Sequence, residues 1–85
     1  MPAWVTSPVY EGLIETIIAA RKSAGLTQRA LAARLEKPQS FVAKLETKER
    51  NLSLLEFVGL AQALGADPAE LLGRATRDLP VRVEF

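Results

Sequence analysis

Eighty-five residues, of which 48% are apolar and 25% charged, carry a formal net charge of +1 and include neither cysteine nor histidine. That length suffices for one domain with a modest core, which dimerisation would help to stabilise. The inventory excludes disulfides, thiolate chemistry, zinc fingers and imidazole acid–base catalysis, the acids show no paired arrangement suited to hydrolysis, and no apolar run nears the ~20 residues that span a bilayer. The N-terminus lacks the basic-then-apolar order of a signal peptide, so a cytoplasmic protein is expected, with no cofactor, no metal and no membrane association.

Residues 1–6 read as an irregular N-terminal arm, followed by Ser7-Pro8 as an N-cap and first helical residue, with Glu11 placed well near the helix start. The first helix should run to about Ala24, burying the stripe Leu13, Ile14, Ile17 and Ile18 before Gly25 ends it. Trp4, the sole tryptophan, has two readings: an arm folded onto this helix, or a contact surface. Thr27 caps a second helix in which Ala30, Leu31 and Leu35 share a face and Ala32 is small enough for a neighbouring helix to approach. Glu36-Lys37-Pro38 breaks it. Pro38 disfavours helical geometry at Lys37 and suits the first turn of a third helix, in which Val42 and Leu45 point inward and Gln39, Ser40, Ala43 and Lys44 point out.

Thr47 to Leu52 is a polar, charged loop, and Ser53 with Glu56 forms a capping box for a fourth helix. Its Leu54, Phe57, Val58, Ala61 and Leu64 should face the core before Gly65 stops it. Asp67-Pro68-Ala69-Glu70 repeats the start signal for a short fifth helix through Leu71 and Leu72 toward Gly73. The expectation is thus an all-α domain of five helices over residues 7–73, with residues 74–85 as a C-terminal tail. In that tail Leu79 to Phe85 alternates apolar and charged residues like a half-exposed β-strand. A lone strand cannot satisfy its own backbone, so pairing with the tail of a second protomer is expected. Val81, Val83 and Phe85, together with Leu71 and Leu72 of the fifth helix, are the candidate dimerisation residues.

A helix, a three-residue break and a helix with a polar outer face is the helix-turn-helix layout. From Gly25-Leu26-Thr27-Gln28 through Leu72 the chain resembles the Cro and phage-repressor-type (Xre) helix-turn-helix family. In that pattern Gln28 opens the first motif helix, Ala32 is the small residue at the crossing, Val42 and Leu45 are the buried pair of the second helix and Glu46 follows them. Asn51-Leu52-Ser53-Leu54 and Ala61-Gln62-Ala63-Leu64-Gly65 fall where the family has its fourth helix. One position departs: Glu36 stands where the turn usually has glycine.

Charge divides by region. From Arg21 to Arg50 eight bases face three acids, a balance of +5, while the remainder carries three bases against seven acids, or −4. Positive potential is concentrated where the resemblance places phosphates. The resemblance implies that the N-terminal part of the second motif helix enters the major groove of double-stranded DNA while the first lies across the backbone. Gln39, Ser40, Ala43 and Lys44 are then the candidate base contacts: a Gln amide matches adenine N6 and N7, a hydroxyl serves either donor or acceptor, and Ala43 permits close approach to a thymine methyl. Gln28, Arg29, Lys48, Arg50 and Asn51 are candidate backbone contacts, with Gln28 also buttressing Gln39. Phe41 either covers the first-helix side of the core or packs on sugar or a thymine methyl at the rim. Glu46 would repel phosphate and is expected to pair internally.

The function implied is a sequence-specific DNA-binding regulator, a homodimeric repressor reading a pseudo-palindromic operator. The alternatives are an antitoxin whose arm or tail also binds a protein partner, and an interaction module without DNA contact, against which Gln28, Gln39, Ser40 and Lys44 together argue. An enzyme is not expected.

Overall fold

A computed structural model describes Trp4, residues 7–77 and residues 82–83. It contains five α-helices, α1 Pro8–Ser23, α2 Gln28–Arg34, α3 Gln39–Glu46, α4 Leu54–Ala63 and α5 Pro68–Ala75, and no strand among the described residues. None of these helices is long and apolar enough to cross a membrane. The α2–α3 pair is the most closely packed, α1 crosses α3 and α5, and α4 lies against α5. Their shared core consists of Tyr10, Ile14 and Ile17 from α1, Leu31 and Ala32 from α2, and Val42 and Leu45 from α3. Phe57, Leu60 and Ala61 from α4 and Leu71 from α5 complete it.

Local chemistry explains where each helix begins. Ser7 Oγ accepts the Tyr10 N–H at 3.2 Å, Thr27 Oγ1 that of Ala30 at 3.0 Å, and Asp67 Oδ1 that of Ala69 at 2.9 Å. Ser53 and Glu56 form both halves of a capping box. The third helix starts differently from expectation. Pro38 is its N-cap, with ψ at 155°, and not its first helical residue. The left-handed turn before it delivers the chain still extended, and proline has no side-chain oxygen to bond an orphan N–H, so α3 begins without a side-chain cap.

The helix ends share one device. Two residues beyond each of α1 to α4 the backbone turns left-handed, at Gly25, Glu36, Lys48 and Gly65 in order. At Glu36 (φ 55°) its N–H reaches the Ala33 carbonyl at 3.1 Å and the Lys37 N–H reaches that of Ala32 at 3.0 Å. A side chain in this conformation costs ~1–2 kcal/mol, against ~0.4–1 kcal/mol of added unfolded-state entropy for glycine. Glu36→Gly should therefore stabilise the domain by about 0.5–1 kcal/mol and raise the thermal midpoint by a few degrees. A lower midpoint in a thermal melt would show that the Glu36 side chain contributes more than its backbone strain removes.

Three packing expectations change. Leu54 is 76% exposed and Leu60 only 2%. Both fit a helix that is apolar on nearly every side, but Leu54 occupies the first turn, beyond the edge of the core, whereas Leu60 stands opposite α1 to α3 in mid-helix. Leu71 is fully buried and so is a core residue, not a dimer contact; its neighbour Leu72 is 41% exposed. Gly73 does not stop α5, which runs two residues further, to Ala75. Of the tail residues assigned to a pairing strand, Val83 is half-buried and in no strand, and Val81 and Phe85 lie outside the described residues. At the other end Trp4 folds onto α1, its ring edge-on to Tyr10 with centroids 5.0 Å apart.

Candidate nucleic-acid interface

The site is organised from the inside outward, beginning with a charge. Arg21 continues the apolar stripe Tyr10, Ile14, Ile17 of α1, and its side chain is 10% exposed. Its guanidinium meets Glu46, the last residue of α3, itself 7% exposed, through Nε–H to Oε2 at 2.7 Å and Nη2–H to Oε1 at 3.1 Å. A third donor, on Nη1, reaches the Leu26 carbonyl at 2.8 Å, so the buried cation is thoroughly hydrogen-bonded. Glu46 is thus internally paired, as its charge required.

The same carboxylate holds the interface. Gln28, the first residue of α2, donates from Nε2 to Glu46 Oε1 at 2.9 Å, and its own Oε1 accepts a long bond from Gln39 Nε2 at 3.4 Å. Gln39 opens α3 and is exposed, as are Ser40 and Lys44 on the same outer face, with the half-buried Ala43 between them. Arg29 is exposed beside Gln28. Two glutamine amides, a hydroxyl and an ammonium are thereby presented together along α3 and the head of α2. This arrangement can hydrogen-bond base edges and phosphates.

The rim is more internally engaged than its composition suggests. Phe41 is half-buried toward α4, not toward α1. It lines a groove of about 240 Å³ with Leu35, Lys37, Glu56, Gly59 and Leu60. Lys37 and Arg50 approach its ring at 5.7 and 4.6 Å. Arg50 also closes a two-point pair with Glu56, at 2.9 and 2.7 Å, and bonds the Asn51 carbonyl. Lys48 is left-handed and lies 3.9 Å from Glu11, and the Oδ1 of Asn51 is buried without a protein partner. Arg34 donates to the Ala63 carbonyl at the end of α4 at 2.8 Å. The buried role of Arg21 had one signal in the sequence, its position four residues beyond Ile17 on an otherwise apolar stripe.

The Arg50 guanidinium, helped by the Ser53 N–H, holds the Glu56 carboxyl down at about 2, against an ordinary 4.5. A depressed native value means stability present above pH ~4.5 and lost as the pH falls toward 2. Since 40% of the Arg50 and 26% of the Glu56 side chain is exposed, screening holds the contribution to about 1 kcal/mol. Denaturant titrations should show wild type losing that amount across this window, relative to Glu56→Gln. Parallel acid limbs would mean the pair adds nothing.

A family model for helix-turn-helix proteins matches residues 17–71. The structure is similar to that of an XRE-family like protein from Pseudomonas syringae pv. tomato str. DC3000, with 43% identity over 85% of this chain and 88% of that one, and a TM-score of 0.80. The clp gene regulator ClgR from C. glutamicum shares the fold, at 24% identity, 89% and 99% coverage and a TM-score of 0.74. No curated protein sequence matches.

Proposed function

Because the chain belongs to the Xre-type helix-turn-helix family of DNA-binding transcriptional regulators, we propose that it is a homodimeric repressor that occupies a pseudo-palindromic operator. The observation that carries this reading is the outward row of Gln39, Ser40 and Lys44 on α3, backed by Gln28 and flanked by the exposed cations Arg29 and Lys37. Gln39, Ser40, Ala43 and Lys44 face the bases. Gln28, Arg29 and Lys48 hold phosphates, with Phe41, Arg50 and Asn51 at the rim.

The second protomer docks on an apolar face. Leu54, Leu55 and Leu72 are 76%, 81% and 41% exposed, and Leu54 and Leu72 border a groove of about 190 Å³ that Leu13, Leu52 and Phe57 also line. Three solvated leucines on so small a domain, two of them on one groove, are the kind of patch that an interface covers. Leu54 and Leu55 open α4 directly after the loop that follows α3.

Selection of bound sequences from random DNA, with sedimentation of wild type and Leu55→Glu, tests this reading. Two inverted half-sites about 34 Å apart are expected. Gln39→Ala should cost ~1–3 kcal/mol and relax one base pair per half-site, whereas Lys48→Ala should weaken all sequences alike. Leu55→Glu should be monomeric and bind the operator weakly. Failure to enrich any sequence would reject the reading, and an undisturbed dimer would reject the face.

A further inference from the structure

We infer that Glu46 is a positioning residue for base selection, fixing the amide of Gln28 in one of its two orientations and thereby making Gln39 prefer adenine to guanine. The inference rests on the DNA-reading role proposed for α3, and the residues it adds to that role, Glu46 and Arg21, touch no base themselves.

A carboxylate bonded to a guanidinium can only accept. Glu46 Oε1 therefore draws the Nε2 end of Gln28, at 2.9 Å, and leaves the Gln28 oxygen facing outward. Gln39 meets that oxygen with its own Nε2, at 3.4 Å. One N–H of Gln39 is now committed, and what it still presents is one acceptor beside one donor. That edge complements adenine, which offers the N6 amino group beside N7; guanine offers two acceptors, O6 and N7, so the Gln39 oxygen would oppose O6. A Gln39 freed from Gln28 could turn its amino group toward either purine. Arg21 completes the device from below, because its two bonds to Glu46 and its third to the Leu26 carbonyl prevent the carboxylate from swinging.

The experiment compares wild type, Gln28→Ala, Glu46→Gln and the double variant on the selected operator and on a copy in which guanine replaces the adenine whose preference Gln39→Ala abolishes. Wild type should favour adenine by about 10–100-fold. Gln28→Ala and Glu46→Gln should each bring the ratio to a few-fold, and Glu46→Gln should change it no further once Gln28 is alanine. A role in folding alone would lower affinity for both sequences equally and leave the ratio intact, which would overturn the inference; so would an unchanged ratio in Gln28→Ala. Side-chain amide relaxation in the free wild-type protein gives a measurement that needs neither variant nor DNA. Gln28 and Gln39 should be more ordered than the exposed Gln62, and equal mobility of Gln39 and Gln62 would overturn the inference. Failure of the wild type to bind any DNA would instead reject the proposed function, leaving the relaxation measurement to decide on the relay.

Discussion

Glu46→Ala is expected to destabilise the domain by about 3–5 kcal/mol, a large share of what a chain of this size possesses. The loss is that large because the Arg21 guanidinium, 8% exposed as a residue, would be left charged and buried with only the Leu26 carbonyl as a partner and no anion. Arg21→Ala should cost a similar amount for the mirror reason. Replacing both together, Arg21→Met with Glu46→Leu, removes the two desolvated charges at once, and stability should return to within about 1–2 kcal/mol of wild type. Urea unfolding of the four proteins measures these differences. Single variants as stable as wild type would mean that water reaches the pair, and that its burial contributes little.

The second large effect is on binding. If a dimer neutralises about six phosphates, operator affinity should fall about a thousandfold between 50 and 200 mM salt. Three cations per protomer supply that number, from Arg29, Lys37 and Lys48. Arg21 and Arg50 add little, because Glu46 and Glu56 already cancel them at contact distance. The regional excess of +5 thus overstates what phosphate meets. Titration at several salt concentrations gives the slope directly, and affinity indifferent to salt would refute phosphate-dominated binding.

Most helix starts and ends were legible in the chain because they are governed by residues a few positions apart: Ser7, Thr27, Ser53 and Asp67 each cap as their spacing predicts, while the start of α3 at Pro38 and the end of α5 beyond Gly73 did not follow it. The stripe of α1 and the inward pair Val42 and Leu45 were legible for the same reason. What spacing does not encode is partnership between distant elements. Arg21 and Glu46 are 25 residues apart, and Arg34 reaches a carbonyl 29 residues away. In α4, where leucines, valine, phenylalanine and alanine occur on nearly every side, periodicity could not choose between Leu54 and Leu60; only the arrangement of α1 to α3 does. Leu71 and Leu72 are adjacent, and the rotation of α5 alone decides which is core and which is surface. The direct hydrogen bond between Gln28 and Gln39 was expected from the family resemblance, while the carboxylate behind it was expected only to pair internally.

The edge-on packing of Trp4 against Tyr10 makes the chain's single indole an optical reporter of one place. The Tyr10 hydroxyl accepts the Leu52 N–H at 3.2 Å, in the loop between α3 and α4, so the ring that quenches or sensitises Trp4 is itself anchored in the core. Emission excited through tyrosine therefore depends on the arm staying on α1, whereas circular dichroism follows all five helices. Coincidence of the two signals during unfolding would show that the arm belongs to the cooperative unit; an earlier optical transition would make it a separable latch.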